Sequence, residues 1–107
     1  MTVFDDREKA FENKFKLDEE NLFKLNARAV KAFGLWAAAQ LQLDGADAQA
    51  YAQQVIESDF EEAGTHDFLA KVQADLANKG IEMTIHHLEN EFNACRDRAA
   101  HEMFPAA

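Results

Sequence analysis

Three isolated glycines divide most of this 107-residue chain into segments whose apolar residues recur every three or four positions. Gly45, Gly64 and Gly80 each sit beside polar residues. A glycine just past a helix end supplies the left-handed conformation that other residues resist. No stretch alternates with period two over the length of a strand, and β-branched residues are few. This combination constrains the chain to an all-α fold, and four helical segments with short connections imply a four-helix bundle.

The first helix is predicted over residues 18–43, with Asp18 as N-cap, Glu19 and Glu20 at the positive end of the dipole, and Leu22, Leu25, Ala29, Phe33, Trp36 and Gln40 along one stripe. Gly34 falls inside it. A helical glycine costs about 1 kcal/mol against alanine, so its presence marks a point of close packing. The second helix is predicted over 46–62, with Tyr51, Ala52, Val55, Ile56 and Phe60 inward. Thr65 is expected to cap a third over 66–78, with Phe68, Leu69, Val72 and Leu76 inward and Gly80 beyond its end. Thr84 is expected to cap a fourth over 85–103, whose stripe is Ile85, Leu88, Phe92, Cys95, Ala99 and Met103. Pro105 follows the last turn, where proline is tolerated.

Residues 1–17 are not needed for that bundle. They read as an N-terminal arm ahead of a bundle domain over 18–107. The arm contains FDDREKAFENKF, in which Phe4, Phe11 and Phe15 are separated by charged residues. At helical spacing Phe11, Phe15 and Leu22 all lie within about 20° of Phe4. The arm holds four acids against four bases, whereas the other 90 residues hold sixteen acids against seven. A short helix with no packing is costly to nucleate, so the arm is expected to be disordered or fraying when free and helical when a partner holds it. Asp5 and Lys9 form a favourable i,i+4 pair, but Glu8 and Glu12 repel, which leaves charges to find partners on a target.

The totals exclude several classes. A formal charge of −9 disfavours nucleic acid and anionic membranes. No apolar run is long enough to span a bilayer, and the acidic start does not resemble a signal peptide, so a cytoplasmic location is expected. One cysteine permits no internal disulfide. His66, His86, His87 and His101 lack a HExxH or a second ligand pair at a usual spacing, so no metal is expected even though His87 and Glu91 share a face. Cys95 lies on an apolar stripe and reads as a buried, inert thiol. Trp36 in GLWAA reads as core beside small residues. Asp59, Glu61 and Glu62 in DFEEAG read as a solvated face, not as a catalytic carboxylate pair. No Gly-rich phosphate loop is present, and no cofactor or catalytic activity is expected.

FDDREKAFENKF, the acids near 18–20, GLWAA at 34–38, YA at 51–52 and DFEEAG at 59–64 together resemble the ζ subunit of the F1Fo-ATP synthase of alphaproteobacteria. The likeness is dense over residues 3–64 and thinner beyond, where HHLENEFNACRDRAAHEMF departs from it. The resemblance implies a small four-helix inhibitor of ATP hydrolysis by F1. Its N-terminal segment would enter an α/β catalytic interface and reach toward γ, blocking rotation in the hydrolysis direction. Phe4, Asp5, Asp6, Arg7, Glu8, Lys9, Ala10, Phe11, Glu12, Lys14 and Phe15 match the inhibitory stretch. The implied partners are the α, β and γ subunits of F1, with a monomer when free. The contrasting reading is a helical ligand-binding module, possibly for a nucleotide, or an adaptor, with Phe4, Phe11 and Phe15 packed on the chain's own bundle.

Overall fold

The computed structural model describes residues 19–61 and 67–104. Within them lie four helices: α1 (Glu19–Gln40), α2 (Gly45–Glu61), α3 (Asp67–Asn78) and α4 (Ile85–Met103). Among the described residues there is no strand. The arm over 1–17, the N-cap Asp18, the cap Thr65, the side chain of Phe60 and Pro105 lie outside what is described.

Side-chain partners fix how the helices run. Asn26, early in α1, meets Asp59, late in α2. Arg28 meets Glu102 at the far end of α4, and Tyr51 near the start of α2 meets Asp75 near the end of α3. Each of these pairs is therefore antiparallel, as short connections demand. α1 packs most extensively, against α2 and α4, while α2 and α4 lie across the bundle from each other.

The centre of the core is a cluster of three rings, one each from α1, α3 and α4. Phe33, Phe68 and Phe92 meet edge to face with centroids 5.0–5.9 Å apart, the arrangement that the ring quadrupole favours. Val30, Val55, Val72, Leu76 and Leu88 fill the space around them and are fully buried. The predicted stripes account for most of this core. Val30, Ala37, Ala38 and Leu41 are core residues off the predicted stripe, whereas Leu22 and Ile85, on the stripes, are exposed at 42% and 39%. Both lie in the first turn of a helix, at an end of the bundle. Trp36, Gln40, Ile56 and Met103 are half-buried.

α2 approaches α1 through small residues. A Cβ at Gly34 would stand 2.9 Å from the Cα of Ala52 and 3.2 Å from its Cβ. The contact is with backbone, which a rotamer change cannot relieve. Gly34 is thus the close-packing point its sequence context indicated.

α1 and α3 end in the same hydrogen-bonded motif. In α3 the Gly80 N–H donates to Ala77 O and the Ile81 N–H to Leu76 O, both at 2.9 Å, with Gly80 at φ 80°. In α1 the Gln42 N–H donates to Ala39 O and the Leu43 N–H to Ala38 O. These are Schellman closures. The residue in the left-handed position after α1 is Gln42, at φ 64°, not Gly45. Gly45 does not terminate α1; it is the first residue of α2, itself at φ 53°. Thr84 caps α4 as expected, its Oγ1 accepting the His87 N–H at 3.0 Å.

Two stability outcomes follow from this geometry. Gly34→Ala should destabilise the bundle by about 1–3 kcal/mol, because overpacking outweighs the better helix propensity of alanine. Gln42→Gly should stabilise it by about 0.5–1 kcal/mol, the left-handed penalty less the extra chain entropy of glycine. Urea denaturation followed by circular dichroism measures both.

Candidate partner-binding surface

All the predicted F1-contacting residues, from Phe4 to Phe15, precede the first described residue. The described residues that follow them in sequence lie at the end of the bundle where α1 begins, α2 ends and α4 ends. Glu19 and Glu20 occupy the first turn of α1, and Glu20 pairs with Lys24 at 3.2 Å on the surface. Leu22 and Phe23 expose 42% and 59% of their surface, and burial begins at Leu25. Phe23 stands about 100° around the helix from Leu22 and so lies off the predicted stripe.

Behind this first turn, two contacts tie α1 to its neighbours. Arg28 and Glu102 pair at 3.9 Å, with both side chains more than half exposed. Asn26 Nδ2 donates to Asp59 Oδ2 at 3.0 Å. Asp59 is only 6% exposed, so DFEEAG does not begin on a solvated face. The reason is periodicity: Tyr51, Val55 and Asp59 follow at i,i+4, and the first two are core. That spacing is the signal that finds Asp59, although its charge argues the opposite.

The other residue types with chemical potential are held by packing. Cys95 is buried, and burial pushes its thiol up, against the opposing pull of the Arg98 guanidinium 3.3 Å from Sγ. A raised thiol is a poor nucleophile at neutral pH. Among the described residues no group of three or more His, Cys, Asp or Glu stands together as a metal site. His87 instead packs its ring near Trp36, with centroids 6.5 Å apart, and His86 pairs with Asn90 at 3.4 Å. Trp36 stacks on Phe33 at 5.6 Å.

At the other end of the bundle, Tyr51 Oη donates to Asp75 Oδ2 at 2.8 Å, and Lys71 Nζ donates to the same oxygen at 2.9 Å. Lys71 also lies 5.3 Å from the centre of the Tyr51 ring. Burial first, then the Asp75 bond and charge, push the Tyr51 phenol far above its ordinary range. The trio fastens α2 to α3. An open cavity of about 260 Å³ adjoins it, with Leu41 and Leu43 on its wall. A wider groove of about 560 Å³ runs along Ala70, Gln73, Ala74 and Ala77 of α3. Its lining holds one charged side chain, Glu82, which is no convergent set for acid–base work.

Among the described residues no helix is long and apolar enough to cross a membrane. A family model described as ATPase inhibitor subunit zeta matches residues 1–102. The match takes in the whole FDDREKAFENKF stretch and nearly all of α4, including the His86, His87 and Cys95 region where the motif likeness is thin. No curated protein matches the chain. With a match that runs from the arm through all four helices, the chain belongs to the ATPase inhibitor subunit zeta family.

Proposed function

We propose that this protein stops ATP hydrolysis by the F1 sector of ATP synthase by inserting residues 1–17 into an α/β catalytic interface, toward γ. The family match carries this reading, because it spans the arm together with the bundle. The core supports it. Among the described residues, the buried apolar side chains run from Leu25 to Ala99 and draw on all four helices. In this reading Phe4, Phe11 and Phe15 are kept for a partner.

The arm acts as a wedge and the bundle as its holder. Aromatic anchors dominate interfaces of this kind. Each buried phenylalanine contributes roughly 1.5–3 kcal/mol before the cost of ordering the segment. The charged residues between the rings, Asp5, Asp6, Arg7, Glu8, Lys9, Glu12 and Lys14, pair with groups on α, β and γ and fix register. The role is one of binding, without catalysis or a cofactor. The protein works in the cytoplasm, peripheral to the inner membrane while bound to the synthase. The contrasting reading, an arm folded on its own bundle, predicts slow amide exchange at Phe4, Phe11 and Phe15 in the free chain.

The ATPase rate of the cognate F1 tests the proposal. Full-length protein should abolish turnover, and a chain beginning at Asp18 should leave it unchanged. Phe11→Ala should raise the half-inhibitory concentration by about tenfold or more. Inhibition by the truncated chain would remove the arm from the mechanism.

A further inference from the structure

Asp59 is the buried charged residue of the described core, at 6% exposure. It sits in the last turn of α2, where the negative end of the helix dipole already disfavours an anion and no basic residue offsets it. The position follows Tyr51 and Val55 at i,i+4, so an apolar side chain would suit both burial and helix. A carboxyl group held there works against stability, and its tie to α1 is directional: the 3.0 Å bond from Asn26. Asn26 lies two turns into α1, immediately behind the exposed Leu22 and Phe23. A second tie among the described residues at this end, Arg28–Glu102, is long and solvent-exposed, and such pairs hold geometry weakly.

We propose that the Asn26–Asp59 hydrogen bond is a positioning device that fixes the tilt and rotation of the first turns of α1, and so the direction in which the chain before Glu19 leaves the bundle. Its consequence for F1 rests on the inhibitory reading above; its geometric claim does not. Apolar contacts are non-directional and permit sliding and rotation of α1 at an end where burial stops at Leu25. A part-buried hydrogen bond to the buried Asp59 favours one arrangement. Asp59 and Asn26 are positioning residues in this scheme, acting through α1.

Two readouts test it on the full chain. Spin labels at Glu20→Cys and Asp67→Cys, in a Cys95→Ala background, report the distance between the starts of α1 and α3. Asp59→Ala should shift or broaden that distance. It should also raise the half-inhibitory concentration on cognate F1 by about tenfold at a temperature where circular dichroism shows it fully folded. Asp59→Asn keeps a carbonyl acceptor for the Asn26 amide. It should restore the distance and bring inhibition within about twofold of wild type. An unchanged distance in Asp59→Ala, an inhibition loss that merely tracks unfolding, or an Asn variant as impaired as the Ala variant would each overturn the proposal. Should Asp59→Ala fail to fold, Asn26→Ala carries the same expectations. If wild-type protein does not inhibit F1, the inhibitory reading fails, and the label distances alone decide whether the bond positions α1.

Discussion

The bundle depends on how close α1 and α2 can come, and Gly34 sets that distance. A Cβ there would meet the Ala52 backbone, so the approach is available to glycine alone. Close approach at this crossing lets α2 seal the core with Tyr51, Ala52 and Val55. The large side chains can then concentrate at the opposite crossing, where Phe33, Phe68 and Phe92 interlock. Small residues on one side of α1 and rings on the other are two halves of one packing solution. Volume removed at Gly34 is spent at Phe33 one residue away, on the adjoining face.

Charge is divided along the same lines. α2 contains Asp47, Glu57, Asp59 and Glu61 and no basic residue, whereas α1 mixes Glu19 and Glu20 with Lys24, Arg28 and Lys31. α1 therefore carries two acids and three bases, and the helix beside it is acidic. The described exposed pairs, Glu20–Lys24 and Arg28–Glu102, contribute little to stability. Packing, and the Tyr51–Asp75–Lys71 fastening, hold the elements together.

Helix number, stripes and the Thr84 cap were legible in the sequence because each rests on a local rule, periodicity or capping chemistry. Gly34 was legible because a glycine inside a strong helix pattern contradicts propensity and calls for a tertiary cause. Gln42 was not: a left-handed glutamine is strained, and the nearby Gly45 offered a cheaper stop that the fold did not use. Asp59 was hidden because charge and periodicity point in opposite directions at one residue, and burial favoured periodicity. Phe23 was hidden because a stripe describes a helix flanked along its whole length, and α1 begins exposed. The sites assigned to the arm rest on the family's residues matched to positions 4–15, outside the described chain.

Trp36 is the single tryptophan, stacked on Phe33 and close to His87. It stands about 25 Å along α1 from Glu19. Its emission therefore reports the state of the ring cluster from a point remote from the arm. Light collected from the native chain, without any label, distinguishes a bundle that has loosened from one that remains intact while its far end is engaged.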